Sequence, residues 1–367
     1  MLFCFAIFSI GCAALDNNNN DPHIDKKIHT KWTISRLSGY KQQYTAFTPV
    51  KDYDVIYATG KSGMIYKIDP INGNVIDSLN AGNKLTGGLA VSGNTIFANT
   101  INAKLIAINK ITHKILWQSD LPTIALDAPI TANNFVAVKT NDAQILVFDI
   151  DTGKKIWVYN SNPPNLTLYN NHSMTIVNNE LLLSGFPDGK LVMFNLNVGN
   201  IIWEQSLKNN NLDSNEKLRD VTTVPIVKDD KLYVANYLGN VYCIDLIRGS
   251  ILWTKNLEGP ISNISLDNED LYLSANNSKS LYALSQSSGR LVWKKSFDKE
   301  ISNITNWNDY LLVTDIKGYA HLIYASTGKV IEDTKIPQSG AINSIMIPNA
   351  GVLFQGQNGE VSLIDIN

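Results

Sequence analysis

A hairpin pattern that recurs along almost the whole chain limits what this sequence can fold into more than any other feature. In its clearest copy, residues 148–157, an alternating strand leads into a tight turn at Gly153 and then into a second strand that ends on Trp157. Glycine suits a short hairpin connection because it adopts positive φ at little cost. The pattern therefore predicts a series of antiparallel hairpins, and periodicity of this kind decides the architecture of a chain.

The copies of this frame agree at two positions, the turn and the position four residues later. The other copies cover residues 68–77, 108–117, 194–203, 244–253, 284–293 and 323–332. Six of the seven turns carry glycine, namely Gly73, Gly153, Gly199, Gly249, Gly289 and Gly328, and His113 occupies the seventh. Trp follows in five copies, with Asp77 and Glu332 in the other two. We expect each Trp to pack against a neighbouring repeat, because a large aromatic side chain at a regular position is typical of a core.

Two further strand-like runs precede each hairpin, so that every repeat contains four short strands. In one repeat the pattern predicts strands over residues 223–227, 231–235, 241–245 and 251–254. Repeated four-stranded units of about 40 to 45 residues are the signature of a β-propeller. The sequence therefore predicts an all-β fold.

The number of blades follows from the Trp positions. The chain ends on two strands that lack a Trp-bearing partner, and the N-terminal segment around Trp32 has the pattern of that missing strand. We expect an eight-bladed β-propeller over residues 30–367, closed by pairing the N-terminal strand with the last blade, which removes a free edge. The repeats that end at Trp203 and Trp253 are 46 and 50 residues long, against about 40 in their neighbours, so we expect two loop insertions there. Inserted loops are common sites of function.

The composition excludes several classes of function. Only 17% of the residues are charged and the net charge is −2, which gives no electrostatic case for nucleic acid. The three cysteines are too few for a disulfide framework, and the five histidines are dispersed without metal-ligand spacing. A nucleophile elbow and a P-loop are both absent from the sequence. We therefore predict no catalytic residue, no metal ligand and no cofactor, and we expect Cys243 to be a buried apolar residue of a strand.

The N-terminus carries a targeting signal. Residues 2–15 form an apolar run that is too short to span a membrane and matches a signal peptide. Residues 9–12, Ser-Ile-Gly-Cys, resemble a bacterial lipobox, which implies a signal peptide over residues 1–11 and lipidation of Cys12. Ala13 resembles the residue of lipoproteins that are sent to the outer membrane. Residues 12–29 then form a flexible polar tether. The alternative is a plain secretory signal in which the cysteine is incidental.

Eight blades with Trp after a glycine turn resemble the quinoprotein-like (PQQ) repeat over nearly all of residues 30–367. Two groups share this repeat: quinoprotein dehydrogenases and BamB, a family of outer-membrane β-barrel assembly lipoproteins. The dehydrogenases have a pair of adjacent cysteines over the quinone, whereas the propeller here contains only Cys243. The acylatable Cys12 and the chain length favour the resemblance to BamB.

Two local matches support the resemblance to the BamB family. Residues 217–225 look like a BamB segment whose acidic residues contact the barrel protein, with Asp220 at the first acidic position and Thr222 in place of the second. Residues 164–169 look like the Leu-x-Leu-Arg loop of the family, with Leu166 and Leu168 retained and Tyr169 in place of Arg. Both segments lie in the long repeats. The leucines either project as partner anchors or lie tucked under the loop's own side chains.

The resemblance implies a non-catalytic scaffold lipoprotein that faces the periplasm from the outer membrane. Its partner would be the POTRA domains of the barrel subunit BamA and, through BamA, the rest of the BAM complex. Leu166, Leu168 and Tyr169 would contact that partner with Thr222, and Asp220 would pair with a basic residue there. Unfolded outer-membrane proteins are a further candidate partner, held along blade edges or grooves. The alternatives are a periplasmic propeller enzyme that binds PQQ or another small ligand, and a free carbohydrate-binding propeller.

Overall fold

The repeats form eight four-stranded antiparallel sheets, one for each predicted blade. The computed structural model describes residues 26–37, 47–164, 166–168, 174–207, 218–338 and 342–367. Within these residues the regular elements are 32 strands, which confirms the predicted all-β, eight-bladed propeller. A membrane-spanning helix is absent from the part of the chain that the structure describes.

The first four blades follow one another along the chain, and the strands within each pair in sequence order. Blade 1 contains β2 (Val50–Asp52), β3 (Val55–Thr59), β4 (Met64–Ile68) and β5 (Val75–Asn80). Blade 2 contains β6 (Leu85–Ser92), β7 (Thr95–Thr100), β8 (Lys104–Asn109) and β9 (Ile115–Asp120). Blade 3 contains β10 (Ile130–Ala132), β11 (Phe135–Lys139), β12 (Ile145–Asp149) and β13 (Lys155–Tyr159). Blade 4 contains β14 (Met174–Val177), β15 (Leu181–Gly185), β16 (Lys190–Asn195) and β17 (Ile201–Ser206).

The other four blades repeat this arrangement, and the last one takes its outer strand from the N-terminus. Blade 5 contains β18 (Ile226–Lys228), β19 (Lys231–Ala235), β20 (Asn240–Asp245) and β21 (Ile251–Asn256). Blade 6 contains β22 (Ile261–Leu266), β23 (Asp270–Ala275), β24 (Ser280–Ser285) and β25 (Leu291–Ser296). Blade 7 contains β26 (Ile301–Trp307), β27 (Tyr310–Asp315), β28 (Tyr319–Tyr324) and β29 (Lys329–Lys335). Blade 8 contains β30 (Ile342–Ile347), β31 (Gly351–Gly356), β32 (Val361–Ile366) and β1 (Ile28–Ile34).

The core lies between the blades. Because each blade is covered on both faces by its neighbours, the two middle strands are buried on both sides and have continuous apolar runs, as in β19 and β20. Leu183 of blade 4, for example, shares one buried cluster with Val234 and Ile244 of blade 5. Cys243 of β20 is 1% exposed and burial raises the pKa of its thiol, which confirms the predicted buried position.

The N-terminal strand closes the ring as predicted. β1 pairs antiparallel with β32, from Ile28 opposite Ile366 to Ile34 opposite Val361. The pairing continues one residue further, because the Lys27 amide donates to the Asn367 carbonyl at 2.8 Å and the Asn367 amide donates back at 3.1 Å. The first and last described segments are thus hydrogen-bonded to each other.

Each repeat Trp packs on the next blade in the ring, which confirms the predicted role. Its ring covers the turn glycine of that blade, and its indole nitrogen donates to a carbonyl three residues before the glycine. The Trp117 ring, for instance, lies over Gly153 while its Nε1 donates to the Ile150 carbonyl at 3.0 Å. The six Trp–Gly contacts are Trp32–Gly73, Trp117–Gly153, Trp157–Gly199, Trp203–Gly249, Trp253–Gly289 and Trp293–Gly328.

The residues that depart from the Trp–Gly pattern make other contacts between neighbouring blades. Asp77 of blade 1 replaces a Trp, His113 in the turn of blade 2 replaces the glycine, and their side chains lie 2.9 Å apart. His113 still has the positive φ of the turn, 59°. Glu332 replaces the Trp of blade 7 and faces the place where β32 and β1 meet without a covalent turn. There its carboxylate accepts a hydrogen bond from the Ile28 amide.

One predicted strand begins later than expected. Residues 223–227 were predicted as a strand, whereas β18 covers Ile226–Lys228. Pro225 has no N–H to donate to a ladder, and the Ala235 amide donates to the Thr223 hydroxyl at 2.9 Å instead of to a backbone carbonyl. The strand pairing therefore starts only after the proline.

Candidate partner-binding site

The two connections that carry the predicted loop insertions begin and end on one face of the propeller. β13 ends at Tyr159 and β14 begins at Met174, while β17 ends at Ser206 and β18 begins at Ile226. The equivalent connection between β21 and β22 covers only residues 257–260. Since both connections run from an outer strand to the inner strand of the next blade, their described ends lie on the same face, at blades 3, 4 and 5. Together they form the candidate site.

The first loop exposes one leucine and half-buries the other. Leu166 is 51% exposed, whereas Leu168 is half-buried and its backbone amide donates to the Asp220 carboxylate at 2.9 Å. Of the two alternatives for this loop, exposure fits Leu166 and partial packing fits Leu168. Tyr169, the third residue predicted here, lies outside the described residues.

Asp220 connects the two loops through its buried side chain. Its side chain is fully buried: one carboxylate oxygen accepts the Leu168 amide, and the other has no hydrogen-bond partner among the described residues. The expected direct pairing of Asp220 with a basic residue of a partner does not agree with this burial. In this structure Asp220 touches the loop that carries the leucines, which puts it in a supporting position.

Burial and the neighbouring groups shift the pKa of Asp220 in opposite directions. Burial raises the pKa of its carboxyl group. The backbone amides of Leu168 and of Asp220 itself and, to a smaller extent, the charge of Lys139 act in the opposite direction. A buried carboxylate depends on such compensation, because an isolated charge in the protein interior is costly. The hydrogen bond between the loops is therefore sensitive to the charges around it.

Thr222 also makes contacts within the propeller. Its hydroxyl donates to the Ile261 carbonyl of blade 6 at 2.5 Å, and its amide donates to the Ala235 carbonyl at 3.1 Å. The residue is half-buried. These bonds fasten the second loop to blades 5 and 6, and they leave Thr222 with only part of its surface for a partner.

The base of the second loop is held by contacts that the sequence did not reveal. The Val221 amide donates to the Phe186 carbonyl of blade 4 at 3.3 Å, and the Tyr237 amide donates to the Asp220 carbonyl at 2.9 Å. Gly185 makes the close approach possible, since a Cβ there would lie 2.4 Å from Val221 Cγ1. Asp220 and Val221 therefore lie between blades 4 and 5 and are hydrogen-bonded to both.

The described residues do not fit a quinone site of the dehydrogenase kind. That site needs adjacent cysteines, whereas Cys243 has no cysteine beside it in the sequence and is buried within a strand. Over the described ranges, no group of three or more His, Cys, Asp or Glu residues could hold a metal ion.

Two grooves between blades lie away from the loops. One, of about 760 Å³, runs between blades 6 and 7 and is lined by Lys295, Lys317 and His321 among others. The other, of about 640 Å³, runs between blades 5 and 6 beside Lys228 and Arg290. Neither groove is lined by a residue predicted from the sequence to bind a partner.

Solved structures share this architecture. The crystal structure of BamB from Moraxella catarrhalis matches with a TM-score of 0.81 at 21% identity, covering 92% of this chain and all (100%) of that one. A quinohemoprotein alcohol dehydrogenase from Comamonas testosteroni matches with a TM-score of 0.72 at 13% identity, covering 92% of this chain and 76% of that one. At these identities the likeness concerns the fold alone.

Sequence comparison relates the chain to proteins named BamB. A protein named outer membrane protein assembly factor BamB from Shewanella oneidensis is 26% identical over 358 residues, which cover 91% of this chain and 88% of the relative. A protein of the same name from Nitrosomonas eutropha is 28% identical over 246 residues, which cover 67% of this chain but only 59% of the relative. The family model described as "Outer membrane protein assembly factor BamB" matches residues 61–295. Since that match spans more than half of the sequence, the chain belongs to the BamB family.

Proposed function

We propose that this chain is a non-catalytic scaffold of the outer-membrane β-barrel assembly machinery, and that its Leu166–Leu168 loop binds the periplasmic POTRA domains of the barrel subunit BamA. Membership of the BamB family supports the assembly role. The observation that carries the site is the exposed Leu166 on a loop that is fastened at Leu168 by the buried Asp220. An exposed apolar side chain beside a backbone that is already held in place loses little conformational freedom on binding, which favours affinity.

The binding energy of such a site is concentrated in few side chains. Truncation of a central anchor typically costs about 2 kcal/mol or more, which corresponds to a loss of roughly 30-fold in affinity. We assign this anchor to Leu166, and Leu168 and Tyr169 to its surroundings. Asp220 acts as a positioning residue through the Leu168 amide, and Thr222 fixes the second loop.

The test measures binding of the full-length protein to the purified periplasmic domains of its cognate BamA. Leu166→Ala with Leu168→Ala should weaken binding at least about 30-fold. Leu252→Ala is the matched control, because Leu252 is also 51% exposed but lies on the outer strand β21 of blade 5. Wild-type affinity in the double variant, or an equal loss in the control, would refute the loop assignment.

The membrane attachment forms part of the same proposal. Cys12 lies outside the described residues, and its lipidation would anchor the propeller to the outer membrane, facing the periplasm. Mass spectrometry of the mature N-terminus should find a lipid-modified Cys12. An unmodified N-terminus that begins elsewhere would contradict this anchor while leaving the POTRA contact to be judged by its own test.

A further inference from the structure

Lys139 is a buried lysine that no role described so far uses. It is the last residue of β11 in blade 3 and is 3% exposed. Its ammonium donates to the Gly185 carbonyl at 2.5 Å and lies 4.9 Å from the centre of the Phe186 ring. Both contacts belong to the end of β15 and the residue after it, so Lys139 ties blade 3 to blade 4.

The residues that Lys139 contacts also hold the second loop. The Phe186 carbonyl accepts the Val221 amide, and Gly185 packs against the Val221 side chain. Asp220 precedes Val221 and accepts the Leu168 amide. A continuous set of contacts therefore leads from Lys139, behind the surface, to the backbone of the loop that presents Leu166.

Charge connects the same residues. Burial lowers the pKa of Lys139 to about 8, and the carboxylates of Asp127, Asp220 and Asp188 act in the opposite direction. Asp220 is the only fully buried one of these three acids. The groups that offset the burial of the Asp220 carboxylate are the backbone amides of Leu168 and of Asp220 itself and, after them, the positive charge of Lys139.

We propose that Lys139 is a positioning residue for the partner site: its ammonium, held at Gly185 and Phe186 beside the base of the second loop, stabilises the Asp220 carboxylate, which in turn holds the Leu168 backbone and fixes the loop. The step from loop to partner rests on the proposed function above, whereas the step from Lys139 to the loop does not. Lys139 itself cannot touch a partner while it is buried in this way.

The experiment combines hydrogen exchange of the loop with partner binding. Lys139→Met keeps much of the apolar stem but removes the charge, and it should speed exchange of the Leu168 amide about tenfold or more and weaken POTRA binding to a similar degree. Adding Asp220→Asn to Lys139→Met removes the charge of Asp220 together with that of Lys139 and keeps an oxygen that can accept the Leu168 amide. Asp127, whose charge acts more strongly on Lys139, is present in both variants. We expect this double variant to recover most of the protection and the affinity.

Lys228→Met is the matched control. Lys228 is also a lysine that bridges blades, because its ammonium donates to the carbonyls of Asp267 and Asn268 at 2.7 and 2.9 Å, but it lies away from the loops. It should leave the exchange of Leu168 unchanged. A comparable loss of protection in this control would overturn the proposal, since any lysine that bridges two blades would then have the same effect.

The remaining outcomes separate the proposal from the proposed function. Unchanged exchange at Leu168 in Lys139→Met overturns the proposal. So does a loss that Asp220→Asn fails to rescue, because the contact with Gly185 or the charge of Asp127 would then explain it. Faster exchange with unchanged POTRA affinity supports the role of Lys139 and refutes the loop as the partner site. If Lys139→Met does not fold, restored folding in the double variant supports the charge coupling, and continued misfolding overturns it.

Discussion

The Trp–Gly contacts make a quantitative prediction about how neighbouring blades are fastened together. Gly153 has φ of 70°, and a Cβ at this position would lie 2.4 Å from Cε3 and 2.5 Å from Cδ2 of the Trp117 ring. Gly82 has nearly the same φ, 72°, but a Cβ there would meet nothing within 4 Å. Replacing each glycine by alanine therefore imposes the same backbone cost and differs only in the clash with the ring.

The two costs can be estimated separately. An L-residue in the left-handed region costs about 1 to 2 kcal/mol, and this applies to both variants. Forcing an extra methyl group into a packed contact costs about 1 to 3 kcal/mol more, and this applies to Gly153→Ala alone. The Trp117 ring cannot simply move away, because its nitrogen is bonded to the Ile150 carbonyl at 3.0 Å. We expect losses in the free energy of unfolding of about 2 to 5 kcal/mol at Gly153 and about 1 to 2 kcal/mol at Gly82.

Differential scanning calorimetry of the two variants and the wild type tests this difference. The unfolding entropy of a chain of this length is on the order of 0.7 kcal/mol/K, so the melting temperature should fall by about 3 to 7 °C for Gly153→Ala and by about 1 to 3 °C for Gly82→Ala. Equal decreases in the melting temperature of the two variants would refute the reasoning, because the Trp117 ring would then move aside without a loss of stability.

Three further predictions concern the exceptions in the ring and the buried lysine. Asp77→Trp combined with His113→Gly should be more stable to urea than either single variant by about 1 kcal/mol, since only the pair restores a Trp–Gly contact; strictly additive effects would contradict this coupling. Glu332→Leu removes the acceptor of the Ile28 amide and should speed hydrogen exchange of that amide about tenfold, whereas unchanged protection would show that the carboxylate does not help to close the ring. For Lys139, burial lowers the pKa from 10.5 in the unfolded chain to about 8 in the folded protein, so the unfolded state binds more protons between these values. The free energy of unfolding of the wild type should therefore rise relative to that of Lys139→Met from pH 8 towards pH 10.5, by on the order of 3 kcal/mol in total. If urea unfolding gives the same difference between the two proteins at every pH, this pKa shift is excluded.

The repeat made most of the fold predictable. A period-2 strand, a turn residue at positive φ and an aromatic four residues later are local signals, and each depends on residues close in sequence. They predicted the eight blades, the closing strand at Trp32 and the inserted loops. The late start of β18 was missed because the effect of Pro225 depends on which strand would pair with it, and the Thr223 hydroxyl takes over an amide that the sequence alone cannot assign.

The candidate site was predictable only in part. Exposure of Leu166 agrees with the predicted anchor, and the position of both loops follows from the lengths of the repeats. The burial of Asp220 did not follow, because an acidic residue in a polar loop is ordinarily solvated and only its neighbours in space make it buried. Lys139 gave no signal at all, since it is a lysine at the end of an ordinary strand.

The sequence by itself determined the class of fold, the number of blades, the way the ring closes and the two segments that leave the repeat. Those properties rest on periodicity and turn chemistry, which depend on residues that are close in sequence. Only the tertiary structure decided that Asp77 meets His113 and that Glu332 faces the break in the ring. It also decided that Lys139 and the segment of Asp220 and Val221 contact the same two residues of blade 4, Gly185 and Phe186. These pairs belong to different blades, and their distances are set by how the blades pack around the ring.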